Sequence, residues 1–197
     1  MNFLAHLYLS GSDSDVMLGN FIGDFVKGRD LTSTFGAGIA KGIQLHRAID
    51  EFTDHDPVVR KSKNRLRPTY RHYSGVIVDI FYDHFLAANW GVYTQEPLDQ
   101  YASRVYQLVL EHQSILPERV NQLLPHMIRG NWLVNYAHVD SIQRVFTGMA
   151  RRATFESKME LAPNDLRRHY PAFQSEFDVF FPMLKGFCDQ WLGLNLK

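Results

Sequence analysis

The segment GIQLHRAIDEFTDH, residues 42–55, has the apolar spacing of an α-helix whose inner face carries charge. His46 and Asp50 are four residues apart, so they lie one above the other along this helix. At about 100° per residue, both fall on the arc that contains Ile39 and Ile43, the face expected to turn toward the core. Because an unpaired buried charge is costly, these side chains need partners. A metal ion is one such partner, since imidazole and carboxylate groups are ordinary metal ligands.

A second segment, residues 74–90, reads SGVIVDIFYDHFLAANW and is apolar on nearly every side, which predicts a central buried helix. Asp79 and Asp83 interrupt it four residues apart and therefore share one side. His84 points about 140° away from Asp79, so we expect it to pack or to hydrogen-bond to another site residue. Two buried helices with inward acids are expected to face each other across one site.

The segment GNFIGDFV, residues 19–26, and the N-terminal residues add further candidates. Asn20 and Asp24 are one turn apart, and His6 is a polar residue in an otherwise apolar segment. The inward polar candidates are then His6, Asn20, Asp24, His46, Asp50, Asp54, Asp79 and Asp83. Mixed imidazole and carboxylate sets favour Mn²⁺, Fe²⁺ or Zn²⁺, and carboxylate-rich sets favour Mn²⁺ or Mg²⁺. Such an ion activates water and neutralises phosphate oxygens, which is the chemistry of phosphoester hydrolysis.

Several of these residues have a purely structural alternative. A single histidine such as His6 is weak evidence for a site by itself. Asp54 lies near the end of its helix, where Arg60 offers an exposed ion pair. His55 and Asp56 are adjacent but precede Pro57, so we expect them to be solvated in a turn. Asp24, His46, Asp50 and Asp83 are harder to explain separately, which favours a common site.

Length, charge and cysteine content exclude several classes of protein. The chain has 197 residues, zero formal net charge and one cysteine, Cys188. The length suits one domain with a sizeable core, and the zero charge gives no general attraction to nucleic acid or membranes. One cysteine excludes an internal disulfide and a cysteine-rich zinc site. There is no signal-peptide pattern and no run long enough to span a bilayer, so the sequence predicts a cytoplasmic protein.

Helical periodicity runs through nearly the whole chain, and strand patterns are almost absent. The sequence therefore predicts an all-α, single-domain bundle over residues 1–197. Helices are expected at about 15–27 with Asp13 or Ser14 as cap, 35–55, 57–67, 70–91, from Pro97, from Pro117, at 131–137, at 139–152, and in a proline-interrupted aromatic region at 166–191.

Residues 60–72, RKSKNRLRPTYRH, contain no acid and form a local positive segment. Its candidate partner-binding residues are Arg60, Lys61, Lys63, Arg65, Arg67 and Arg71. One interpretation is a solvated basic face, and the other is a dock for an anionic partner. Only Tyr70 offers a stacking ring, which disfavours nucleic acid. An acidic protein and a phosphorylated small molecule fit equally well.

Four of these segments, MNFLAHLYLS (1–10), GNFIGDFVKG (19–28), GIQLHRAIDEFTDHDPVVR (42–60) and SGVIVDIFYDHFLAANW (74–90), resemble the bacterial acyl carrier protein phosphodiesterase family. The likeness continues in GNWLVNYAHVDSIQRVFTGMARR (130–152) and so covers most of the chain. It implies a fold related to HD-domain phosphohydrolases and a divalent metal, usually manganese. It also implies hydrolysis of the phosphodiester that joins 4′-phosphopantetheine to the serine of holo-acyl carrier protein. The chain departs from the usual HD pattern, because its best inward ligands are not an adjacent His-Asp pair.

Together, the residues and the resemblance predict one site. Asp24, His46, Asp50 and Asp83 are expected to hold the metal, with Asp79 and His6 in reserve, and Asp24, Asp50 and Asp83 are expected to be catalytic. Mn²⁺ is the predicted ion, with Mg²⁺ or Fe²⁺ as alternatives.

The predicted partner is the holo-carrier protein, bound by the basic segment, with no nucleic acid or membrane partner and no oligomeric state specified. Arg151, Arg152 or Lys27 are candidates for contact with phosphate. The alternatives are a metal-dependent phosphohydrolase of a nucleotide or other small phosphoester, and a non-catalytic helical module that binds an acidic partner. There is no phosphate-binding glycine loop and no nucleophile elbow, and Cys188 is expected to be buried and inert.

Overall fold

The computed structural model describes residues 1–194 of the chain, and no strand occurs among them. The all-α prediction is confirmed, while the relation to HD-domain proteins stays a prediction. Residues 195–197 of the predicted domain lie outside the described part. The helices are α1 (Phe3–Tyr8), α2 (Ser14–Ile22), α3 (Thr32–Phe35), α4 (Ala37–His55), α5 (Pro57–Tyr70), α6 (Ser74–Ala88), α7 (Trp90–Tyr93), α8 (Leu98–Glu111), α9 (Glu118–Arg129), α10 (Trp132–Asn135), α11 (Val139–Arg152), α12 (Ala162–Arg168) and α13 (Tyr170–Leu192).

Helix boundaries follow local chemistry. Asp13 caps α2, as expected, by accepting from the backbone N–H of Asp15 and Val16 at 3.0 and 3.1 Å. Asp56 caps α5 in the same way, so the expected solvated turn is in fact a cap. The expected end of α5 before Pro68 is wrong, because the helix continues to Tyr70 with the proline in its last turn. None of the helices in the described part of the chain has the length and apolarity needed to cross a membrane.

The core is centred on α6, whose Phe81 and Phe85 are fully buried. The ring of Phe81 packs edge-on against Phe173 of α13, with centroids 5.1 Å apart. Tyr82 packs in the same way against Phe177 of α13, at 5.6 Å. Phe173 and Phe177 of the C-terminal aromatic region are therefore core residues. Burial of side chains this large stabilises the fold by roughly 1.5–3 kcal/mol each.

Helices α2 and α4 touch at their backbones. A Cβ atom on Gly19 would lie 2.0 Å from the carbonyl oxygen of Ile39, and one on Gly42 would lie 2.1 Å from the carbonyl oxygen of Val16. Only glycine fits at either position, because it adds no atom beyond the backbone. This close approach brings the start of the turn after α2 against the middle of α4, where His46 lies.

A buried carboxylate joins α5 to α13. Glu176 accepts two hydrogen bonds from Arg65, of 2.7 and 2.6 Å, and a third from the Ser62 hydroxyl. Burial opposes ionisation of Glu176, but the bonds from Arg65 and Ser62 outweigh it and lower its pKa. Arg65 therefore has an internal structural partner.

Candidate metal centre

Four side chains from three segments converge beside the middle of α4. His6 comes from α1, Asp24 from the 3₁₀ turn after α2, and His46 and Asp50 from α4. The Nε2 atom of His46 lies 3.2 Å from an Asp24 oxygen and 3.3 Å from an Asp50 oxygen. The Nε2 atom of His6 lies 3.3 Å from the other Asp50 oxygen. One ligand atom from each of His6, His46 and Asp50 lies within 4.8 Å of the others.

Both imidazole rings are oriented by Asn20. The Nδ2 group of Asn20 donates to the His6 carbonyl at 2.7 Å and to the Ser10 hydroxyl at 2.9 Å, so its Oδ1 faces His6 as an acceptor. The Nδ1–H of His6 donates to that Oδ1 at 2.8 Å. The Nδ1–H of His46 donates to the Asn20 backbone carbonyl at 2.7 Å. In their neutral forms both rings therefore carry a free lone pair on Nε2.

This arrangement turns two nitrogen lone pairs toward carboxylate oxygens. Acceptors that face acceptors need a cation between them, either a proton or a metal ion. The buried Nε2 of His46 makes no hydrogen bond of proper geometry with any residue in the range 1–194. Histidines that bind metals commonly fix the ring by donating from the other nitrogen to a carbonyl or carboxylate oxygen. The donor set therefore fits a divalent cation.

Electrostatics of the cluster agree with a site built for positive charge. Burial opposes protonation of His46, but the carboxylates of Asp24 and Asp50 outweigh it and raise its pKa to about 9. Burial of Asp50 is likewise outweighed by His46 and His6, which lower the pKa of that carboxyl. Burial and the neighbouring His46 lower the pKa of His6. Without a metal, the two carboxylates therefore favour the protonated form of His46.

Asp79 lies at the edge of the cluster, and Asp83 lies outside it. The amino group of Met1 is 3.1 Å from an Asp79 oxygen and 3.8 Å from an Asp50 oxygen. The fully buried Asp83 carboxylate instead accepts from the backbone N–H groups of Asn2, Leu4 and Ala5, at 3.2, 2.7 and 3.3 Å. Asp83 therefore anchors the first turn of α1, the helix that carries His6. Burial raises the pKa of Asp83 to about 7.

The remaining candidates also have defined positions. Asp54 is exposed and pairs with Lys63 at 2.6 Å, in place of the expected Arg60. His84 donates from Nδ1 to the Tyr136 carbonyl at 2.8 Å and lies 3.0 Å from the Tyr170 hydroxyl, so it has no contact with the cluster.

The basic segment is partly committed to internal contacts. Arg65 binds Glu176, Lys61 lies 3.5 Å from the same carboxylate, and Lys63 binds Asp54. The three exposed arginines of the segment that form no ion pair with another described residue are Arg60, Arg67 and Arg71.

Two cavities meet beside the cluster. The smaller, about 280 Å³, is lined by acids that include Asp24, Asp50 and Asp79. The larger, about 820 Å³, lies between α6, α9, α10 and α11. Both are lined by Asn2, Asp24 and Val76, so the two cavities adjoin. No sequence pattern predicted the larger cavity, because its walls come from helices that are distant along the chain. Arg152, which lines it, was nevertheless a candidate for contact with phosphate.

The chain is similar to known proteins over most of its length. Residues 1–184 match the family model described as "Acyl carrier protein phosphodiesterase". Proteins of that name from Photorhabdus laumondii, Enterobacter sp. strain 638 and Escherichia coli K12 are 33%, 34% and 33% identical over 185 residues. These alignments cover 93% of this chain and 93%, 95% and 95% of the relatives. No solved structure matches the chain.

Proposed function

The chain belongs to the acyl carrier protein phosphodiesterase family, and on that premise we propose that it hydrolyses the phosphodiester between 4′-phosphopantetheine and the serine of holo-acyl carrier protein. The products are apo-carrier protein and 4′-phosphopantetheine. The observation that carries the proposal beyond the family name is the convergence of His6, His46, Asp24 and Asp50 beside a cavity.

We further propose that these four residues hold a divalent cation, with Mn²⁺ favoured and Fe²⁺ or Mg²⁺ as alternatives. Two imidazole nitrogens make Mn²⁺ or Fe²⁺ a better match than Mg²⁺, which prefers oxygen ligands. When bound, such an ion lowers the pKa of a water and stabilises negative charge on phosphate oxygens. Asn20 contributes by fixing both rings through Nδ1, which would leave each Nε2 free to ligate such an ion.

The protein's own residues supply orientation and proton transfer. Asp24 has 69% of its side chain exposed and lines both cavities, which supports a second role for its other oxygen, as the acceptor of a proton from the attacking water. Asp50, with both oxygens turned to the two histidines, fixes their spacing. Asp79 lines the smaller cavity and is a reserve ligand. Asp83 supports the site by holding α1 in place, rather than by contact with the reacting atoms.

The carrier protein is proposed to dock through exposed arginines. Arg60, Arg67 and Arg71 remain available on the basic segment, and charge complementarity to an acidic partner would mainly raise the rate of encounter. Lys61, Lys63 and Arg65 contribute less to this dock, because each is already near a carboxylate.

The direct test is incubation of purified protein and Mn²⁺ with holo-carrier protein, followed by intact mass measurement. We expect conversion of the carrier protein to the apo mass with release of 4′-phosphopantetheine. A chelator should abolish this conversion. The matched control is Asp50→Asn, which keeps the shape of the side chain but removes its charge. A holo mass that persists at full metal loading would exclude this reaction, and turnover of small phosphodiesters alone would favour the small-phosphoester alternative.

A further inference from the structure

The 820 Å³ cavity beside Asp24 has the size of a small-molecule site. Its floor is apolar, with Ile80, Ile142 and Met149 among the lining residues. Amide and hydroxyl groups from Asn2, Asn135 and Ser141 interrupt that apolar lining. An apolar wall with a few polar groups is typical of a small-molecule site, in which the polar groups fix the orientation of the ligand.

The charge around this cavity is positive. Arg129, Arg144 and Arg152 line it, are exposed, and form no ion pair with any residue of the described range 1–194. Asp24, at the junction with the smaller cavity, is the one carboxylate in the lining provided by those residues. An anionic ligand that enters the cavity and places its reacting group beside Asp24 would therefore have arginines near the rest of its length.

We propose that this cavity binds the pantetheine arm of the substrate, with the phosphate end at Asp24 and the thiol end toward α9 and α11. This inference rests on the proposed function. The scissile phosphodiester joins a folded carrier protein to an unbranched arm, and a folded protein cannot enter a cavity of this volume. Since the two cavities share Asn2, Asp24 and Val76, an arm attached to phosphorus at the metal centre leads directly into the larger cavity.

Gly148 of α11 provides the test, because it lines the cavity and an added Cβ would meet only the end of Arg152, at 3.4 Å. Gly148→Leu fills the cavity while improving helix propensity. The matched control is Gly186→Leu in α13, where an added Cβ meets nothing within 4 Å. A second filling change, Val145→Phe, is made in parallel, so that the test does not depend on one variant folding well.

Calorimetric titration with 4′-phosphopantetheine is the measurement, on protein with and without Mn²⁺. Gly148→Leu and Val145→Phe should each weaken binding at least 10-fold, and Gly186→Leu should bind within 2-fold of the wild type. The proposed arm-binding site would be overturned if a cavity-filling variant that folds bound 4′-phosphopantetheine with wild-type affinity. It would also be overturned if the wild type cleaved holo-carrier protein but did not bind 4′-phosphopantetheine. A wild type that binds 4′-phosphopantetheine in this cavity but leaves holo-carrier protein intact would instead refute the proposed function and retain the site.

Discussion

The imidazole rings of His6 and His46 are stacked, with centroids 3.9 Å apart and planes 14° from parallel. Two protonated rings at this distance would repel each other. The pair therefore favours no more than one protonated, cationic ring, and both Nε2 atoms lie on the same side, toward Asp50. A single divalent cation would satisfy both rings and the carboxylates together, which a single proton cannot do.

Asp50→Asn should abolish metal binding and reduce turnover by orders of magnitude, because a carboxylate that faces both histidines loses its charge. Bound metal is measured by elemental analysis after gel filtration, and turnover by intact mass of the carrier protein. Asp54→Asn is the control: it lies on the same helix but pairs with Lys63, so its effect should be much smaller. Equal metal content in wild type and Asp50→Asn would remove Asp50 from the ligand set.

Asn20→Ala should lower metal affinity by about 10–100-fold, the usual cost of removing a group that orients a ligand. The side chain that accepts from His6 Nδ1 is lost, whereas the backbone carbonyl that accepts from His46 remains. Asn20→Asp, which keeps an acceptor at that position, should restore part of the affinity. Titration with Mn²⁺ measures both, and unchanged affinity in Asn20→Ala would show that the rings are held by other contacts.

Asp83→Asn separates an anchoring role from the ligand role expected from the sequence. As an anchor for three backbone N–H groups, Asp83 should contribute about 1–3 kcal/mol for each buried group left unsatisfied. The variant should therefore unfold at lower urea concentration, yet still bind Mn²⁺ when folded. Complete loss of metal from a variant of wild-type stability would instead show that Asp83 is a ligand.

Gly19→Ala and Gly42→Ala should each destabilise the fold by more than the roughly 1–3 kcal/mol typical of overpacking, because the new Cβ meets backbone at 2.0 and 2.1 Å. At Gly186 of α13 an added Cβ meets no atom within 4 Å. Gly186→Ala should therefore stabilise the fold by up to about 1 kcal/mol through helix propensity. Urea denaturation compares the three. Wild-type stability of either α2–α4 variant would mean that the two helices can separate at no cost.

The Glu176 ion pair predicts a specific acid sensitivity. Its pKa is lowered in the fold from the ordinary value of 4.5, so its contribution to stability is complete above that value and is lost as pH falls toward the folded-state pKa. Glu176→Gln should therefore show a flatter decline of unfolding free energy with pH below about 4.5. Thermal melts between neutral and acid pH measure this slope, and identical slopes in both proteins would contradict the prediction.

Local patterns predicted the helices, and all four residues of the cluster were among the candidates named from the sequence. The four-residue spacing of His46 and Asp50 placed them correctly on the inner face of α4, because helical period and burial are encoded locally. The same spacing also placed Asp83 inward, but it could not identify the partners of that carboxylate, which are backbone groups 78–81 residues away.

Long-range contacts account for the remaining differences. The opposing charge that neutralises Arg65 comes from α13, 111 residues further along the chain. The larger cavity is likewise formed by α6, α9, α10 and α11. The packing of these helices against one another cannot be predicted from the residue pattern of any one of them.

The candidate ligands come from three separate segments: α1, the turn after α2, and α4. A cation held by all three would act as a removable crosslink that closes loops of tens of residues. Because the three segments come together only in the folded chain, the cation would bind that state in preference to the unfolded one and so stabilise it. Chelation would then act on residues 1–50 much as reduction acts on a disulfide, releasing the N-terminal segment to open before the aromatic core does.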